Sequence, residues 1–303
     1  MSGHLLHIGY PKAGSKYLQR WFAAHPQLAY RDGGIAGFND VYAMITHAAD
    51  AGDEPLYRVT SSEGLSAPHL DSGHDLVEYA RTRPTSTVTA QLKACTMLAE
   101  LFPNAVVLIV TRGYRSMVLS SYSQFVRSGG FVDLADLVAV ARTKSGPEFD
   151  RLADLAPWDY DQLIGAYARA FGADHVVVMP YELLRDDAAT FTRTLAERLG
   201  IEPFAADFGR INESLSPAEM YWYPRFTRLV RALRSRRLVE RFASLSFTNR
   251  LRRPVALLEK LWPGKAVTGA MIADDVLEPF RGRAERLREN PLYAAYEKEY
   301  LLG

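Results

Sequence analysis

One stretch near the start, HLLHIGYPKAGSKYLQRWFAA over residues 4–24, limits what this chain can fold into more than any other. Leu5-Leu6-His7-Ile8 has the length and bulk of a buried strand. Gly9-Tyr10-Pro11-Lys12-Ala13-Gly14-Ser15 then breaks it with small residues and a proline, the mark of a tight loop. From Ser15 onward Tyr17, Leu18, Trp21 and Phe22 recur at helical spacing. A strand, a glycine-containing loop and a helix N-terminus in succession aim free backbone N–H groups and the positive end of a helix dipole at one point. Such a point suits a phosphate or a sulfate. The bland alternative is an ordinary βα turn carrying a solvated lysine.

The loop falls just short of a Walker A motif. Gly9 and Gly14 have the right separation, but the next pair is Ser15-Lys16, where that motif requires Lys followed by Ser or Thr. The loop's own lysine is Lys12. A second constellation lies further on. Ala105–Val110 is apolar throughout, as a central parallel strand should be, and it runs into Thr111-Arg112-Gly113. Arg112 therefore stands at the carboxyl end of a strand, where open α/β sheets bind ligands. Ser120 follows eight residues later, on a stretch that reads as helix through Phe125.

Both constellations resemble those of the sulfotransferases that use 3′-phosphoadenosine 5′-phosphosulfate (PAPS). PKxG[ST] after the first strand is similar to that family's 5′-phosphosulfate loop, and Arg with Ser eight residues on resembles its 3′-phosphate motif. The resemblance covers roughly residues 4–202, and only the two phosphate motifs are specific. It implies that Lys12 contacts the 5′-phosphate and bridging oxygen and assists the leaving group. Ala13, Gly14, Ser15, Lys16 and Tyr17 would complete that site, while Arg112 and Ser120 would hold the 3′-phosphate. It also implies an α/β fold of P-loop NTPase type, a central parallel sheet flanked by helices.

Two weaker correspondences extend it. Leu56–Thr60 reads as a short strand running into Ser61-Ser62-Glu63, so Glu63 occupies the position of the family's catalytic base. His69 competes for that role, because a histidine titrates closer to neutral pH. Val176–Tyr181 reads as another strand, and Tyr181-Glu182-Leu183-Leu184 resembles the segment whose Tyr approaches adenine. A helix over Thr190–Leu199 should close on Gly200. Other helices are expected over Val41–Asp50 and over Ser86–Phe102, the latter with Cys95 as a buried thiol.

The chain also departs from the family pattern. Ser15-Lys16-Tyr17 replaces the usual Thr-Thr-Trp. Lys16 either adds charge near the 5′-phosphate or lays its stem along the helix, and Tyr17 either stacks on adenine or packs in the core. The family's C-terminal Arg-Lys-Gly loop is not visible, and Arg210-Ile211-Asn212 is a weak substitute. His69 and His74 have no third ligand at standard spacing, so no metal is expected.

Beyond residue 204 the character changes to a helical C-terminal extension (205–303) on an α/β core (1–204), read together as a single domain. Ser216-Pro217-Ala218-Glu219 marks a helix start, and Asp274–Tyr300 reads as mixed-charge helix. Arg225–Arg253 holds ten Arg against one acid, Glu240, with apolar residues interleaved. That segment either meets a membrane surface or acidic acceptor, or it packs its apolar side on the core and solvates its arginines.

Composition closes off other classes. A net charge of +1 argues against a general nucleic-acid binder. The single Cys95 allows no internal disulfide, and no leader or spanning stretch is readable, so a cytoplasmic location is expected. The reading is sulfuryl transfer from PAPS to a hydroxyl or amine, without metal. The acceptor stays open among glycan, lipid, peptide and secondary metabolite. The competing readings are a P-loop kinase or other ATP-dependent phosphotransferase, and a non-catalytic nucleotide-binding module.

Overall fold

The computed structural model describes residues 3–30, 55–66, 87–137, 158–206, 208–209, 214–232, 237, 241, 245 and 250–302. The expected helix over 41–50, both His69 and His74, and Arg210-Ile211-Asn212 lie outside the described residues. The chain forms two compact units. One comprises Met1–Gly113, Arg151–Ile211 and Phe280–Gly303, and the other comprises Tyr114–Asp150 and Asn212–Pro279. The partition differs from a single break at residue 204, because the chain returns to the first unit after residue 279.

The first unit is built on a five-stranded parallel sheet. Its strands are β1 (Gly3–His7), β2 (Leu28–Ala29), β3 (Tyr57–Ser61), β4 (Val106–Thr111) and β5 (Val176–Pro180), in the order β2-β3-β1-β4-β5. Every pairing is parallel, so all carboxyl ends share one edge. The apolar runs read from the sequence form its centre: Leu5, Leu6, Val59, Val107–Val110 and Met179 are buried. From β1 the chain winds to one side through β3, then crosses to β4 on the other. The β1–β4 pair is thus the point where strand order reverses, the place where such sheets bind ligands.

The helices of this unit follow from local sequence. α1 (Ser15–Ala24) buries Leu18, Trp21 and Phe22. It stops at Ala24 because His25 precedes Pro26 and takes an extended backbone. α2 (Thr87–Leu101) carries Cys95, a buried free thiol whose pKa burial pushes up to about 11. After Gly113, α3 (Tyr114–Arg127) begins the second unit. Back in the first, α4 (Tyr160–Phe171) is capped by the Asp159 carboxylate accepting from the Gln162 N–H at 3.0 Å. α5 (Tyr181–Asp186) follows β5 at once, and α6 (Ala188–Leu199) ends on Gly200 at φ 65°, the left-handed closure expected of it. The stretch read as helical over Asp274–Tyr300 forms a series of short helical turns, and they bury Leu287, Tyr293 and Tyr300.

In the second unit α7 (Pro217–Ala232) starts with a reciprocal cap. The Ser216 Oγ accepts from the Glu219 N–H at 3.2 Å, and Glu219 Oε2 accepts from the Ser216 N–H at 2.7 Å. Pro224 lies inside this helix and has no N–H for the Met220 carbonyl. The Tyr122 hydroxyl donates to that carbonyl instead, at 3.4 Å. α8 (Arg252–Leu261) packs beside α7. No helix of the described residues is long and apolar enough to cross a membrane.

Candidate functional site

Parallel strands bring the β1 loop, Glu63, Arg112 and Tyr181 to one sheet edge. After β1 the backbone keeps pairing with β4, Ile8 N–H with the Leu108 carbonyl at 3.0 Å and Tyr10 N–H with that of Val110 at 3.3 Å. Tyr10 then closes a turn by accepting from the Ala13 N–H at 3.2 Å. Pro11 is second in that turn and Lys12, at φ 66°, third, the pattern of a type II turn. Lys12 is the one described non-glycine residue with positive φ, a conformation that costs a side chain on the order of 1–3 kcal/mol. Gly14 caps α1 at φ 86°, and a Cβ there would lie 2.5 Å from Leu184 Cδ2. Glycine at position 14 thus suits both the positive φ and the close approach to α5.

Ser15 opens α1, and its buried hydroxyl has no hydrogen-bond partner among the described residues. An orphaned buried hydroxyl beside the unpaired N–H groups of a helix N-terminus is what an anion site requires. Lys16 is exposed on the outer side of α1. Tyr17 donates to the Ala206 carbonyl at 3.2 Å and sets its ring edge-on to Phe208, 5.5 Å away.

Arg112 follows β4. Its guanidinium donates to the Lys12 carbonyl and lies over the Tyr181 ring, 4.5 Å from the centroid. Register explains the pairing: Thr111 sits opposite Pro180, so the residues that follow the two strand ends, Arg112 and Tyr181, are neighbours. Burial lowers the Arg112 pKa, while Tyr181 and Glu182 raise it. Ser120 is buried on α3, in the second unit.

Glu182, Tyr160, Tyr293 and Tyr300 also belong to this end of the sheet, and sequence reading did not assign them. The fully buried Glu182 carboxylate accepts from the Gly113 N–H at 3.0 Å and from the Tyr300 hydroxyl. Tyr160 exchanges hydrogen bonds with the Arg112 backbone, and Tyr293 shares one with Thr111 Oγ1 at 2.7 Å. The one sequence signal was the acid directly after Tyr181. The C-terminal tyrosines carried none.

Glu63 begins a short 3-10 turn, Glu63–Leu65, after β3. Ser66 ties that turn to the loop after β1: its hydroxyl reaches the Gly9 carbonyl at 2.9 Å and the Glu63 carbonyl at 3.1 Å. The Glu63 side chain is partly exposed. Beneath the loop, buried His7 pairs its Nδ1 with Ser61 Oγ at 2.7 Å, and that oxygen accepts from Gln19 Nε2 at 3.3 Å. The imidazole tautomer sets which of His7 and Ser61 donates in that bond. Desolvation lowers the His7 pKa to about 3. A Cβ on Gly9 would meet His7 Nε2 at 2.4 Å, so glycine lets the loop pass over the ring. Among the described residues no group of three His, Cys, Asp or Glu could hold a metal ion.

The sequence profile of the sulfotransferase family matches residues 5–206, about two thirds of the chain. The chain belongs to the sulfotransferase family. The match spans the β1 loop, Glu63, Arg112 and Tyr181, and it places the chemistry in sulfuryl transfer rather than in the phosphoryl transfer of a kinase. No curated protein matches the chain. Among solved sulfotransferases, that of Alicyclobacillus acidocaldarius is 16% identical, covering 90% of this chain and 100% of its own, with a TM-score of 0.45. Mouse sulfotransferase SULT7A1 complexed with PAP is 14% identical, covering 74% of this chain and 64% of its own, with a TM-score of 0.32.

Proposed function

We propose that this sulfotransferase moves a sulfuryl group from PAPS to a hydroxyl or amine of its acceptor. The observation that carries the reading is the convergence at the strand-order reversal: the β1 loop, with its orphaned Ser15 hydroxyl, lies against Arg112 and Tyr181. One end of this arrangement suits a 5′-phosphosulfate, and the Arg fork suits a terminal phosphate. The sequence motif assigns Ser120 to the same 3′-phosphate, and Tyr181 is assigned to the adenine.

In the reaction the bond between sulfur and the bridging oxygen breaks, and sulfur bonds to the acceptor atom. Charge builds on the bridging oxygen of departing 3′,5′-ADP. Lys12 and the α1 N–H groups stabilise it, and preorganised donors aimed at developing charge are usually the largest catalytic contribution. Glu63 takes the acceptor's proton, a role worth on the order of 10²–10⁴ in rate.

Calorimetry in the presence of a chelator tests the two-phosphate reading. Tight 3′,5′-ADP binding is expected, with adenosine 5′-phosphate markedly weaker and ATP–Mg²⁺ no better. Equal affinity for the first two would remove Arg112 and Ser120 from the 3′-phosphate. Transfer of label from ³⁵S-PAPS to extract fractions separates an enzyme from a binding module and identifies the acceptor class.

A further inference from the structure

The second unit carries a strongly basic stretch of sequence. Arg225–Lys265 contains ten Arg and two Lys against two acids, Glu240 and Glu259. Within it, α8 buries only Val255. One side of this helix is committed to α7: Glu259 Oε2 accepts from Trp222 Nε1 at 2.8 Å, Glu259 Oε1 accepts from the Gly264 N–H at 3.1 Å, and Arg252 faces Glu219 at 3.7 Å. The helix's only carboxylate is thereby spent on the packed side.

The other side is apolar and cationic at once. Leu257 and Leu261, one turn apart on the same face, are 62% and 64% exposed, and Trp262 at the helix end is 66% exposed. Exposed Arg253 and Lys260 lie alongside, and no acid stands among them. The first turn also lacks an acid, although a helix N-terminus favours one; it carries Arg252 and Arg253 instead. A soluble helix ordinarily turns such leucines inward. Two exposed leucines, a terminal tryptophan and flanking cations make the pattern of a helix that lies in a membrane interface.

We infer that the outward face of Arg252–Trp262 docks on an anionic lipid surface. The leucines and Trp262 enter the headgroup–acyl boundary, and Arg253 and Lys260 neutralise lipid charge. The contact is peripheral, since the helix has ten residues and a span needs about 20.

Co-sedimentation of the full chain with vesicles tests this directly. Binding is expected to vesicles of phosphatidylcholine with phosphatidylserine and not to phosphatidylcholine alone. It should weaken at least tenfold near 1 M salt, where screening shortens to about 3 Å. The triple variant Leu257→Ser/Leu261→Ser/Trp262→Ser should lose about tenfold or more in partitioning, and Arg253→Gln/Lys260→Gln should lose severalfold. Both should keep the parental thermal midpoint and 3′,5′-ADP affinity, which separates this test from that of the proposed reaction. Binding untouched by the triple variant would overturn the docking face. So would no vesicle binding, whether accompanied by self-association that the variant abolishes or by capture on a soluble polyanion alone.

Discussion

The guanidinium of Arg112 donates to the backbone carbonyl of Lys12, a residue 100 positions earlier in the chain. One hydrogen bond thus joins the loop after β1 to the end of β4. It also holds the carbonyl of the residue that has the unfavourable positive φ. The two residues read from the sequence as separate phosphate contacts form one connected element.

Arg112→Lys tests that connection. Lysine keeps the charge but loses the planar fork that serves Lys12 and the Tyr181 ring together. Hydrogen bonds to charged groups contribute about 1.5–3 kcal/mol, so 3′,5′-ADP affinity should drop roughly 10- to 100-fold. A calorimetric affinity within twofold of the parent would show that charge alone suffices there.

Lys12→Ala should separate turnover from binding. Alanine bears the same positive-φ cost as lysine, so the loop conformation is not penalised further. If the ammonium acts on the bridging oxygen in the transition state, kcat falls by orders of magnitude while 3′,5′-ADP affinity changes little. Lost affinity with retained kcat would reduce Lys12 to a positioning contact.

Glu63→Gln preserves shape and removes basicity. Sulfation should fall at least about 100-fold with nucleotide affinity unchanged. Near-parental activity in this variant, together with inactivity of His69→Ala, would move the base to His69.

Buried His7 makes stability depend on pH. Its folded pKa is held near 3 by desolvation, against about 6.5 for the unfolded chain. The unfolded state therefore takes up a proton first as pH falls. The His7 contribution is complete above about pH 6.5 and is lost progressively toward pH 3. At pH 5 the loss is about 2 kcal/mol relative to neutral pH. His4, lowered to about 4 chiefly by burial, acts in the same direction. Denaturant midpoints measured from pH 7 to 5 should decline, and His7→Asn should flatten that decline; equal slopes would mean His7 is hydrated in the native state.

Sheet strands and loops were legible in the sequence for local reasons. Leu5–Ile8 and Ala105–Val110 are apolar on both faces because their strands are covered on both sides. Gly14 was legible as a loop glycine, but its close approach to Leu184 was not, because α5 lies far along the chain. The helical character near the C-terminus was legible, but not that its tyrosines reach Thr111 and Glu182, which lie far along the chain.

By itself, then, the sequence determined the strand–loop–helix at residues 4–24, the arginine at the end of the Ala105–Val110 strand and the family that the two resemble. Periodicity and turn chemistry are local, so they survive without coordinates. Tertiary structure decided what depends on residues distant in sequence: Arg112 on the Lys12 carbonyl, the buried carboxylate of Glu182 between Gly113 and Tyr300, and the outward turn of Leu257 and Leu261. These follow from strand register and helix packing, which bring distant side chains together or leave them in solvent.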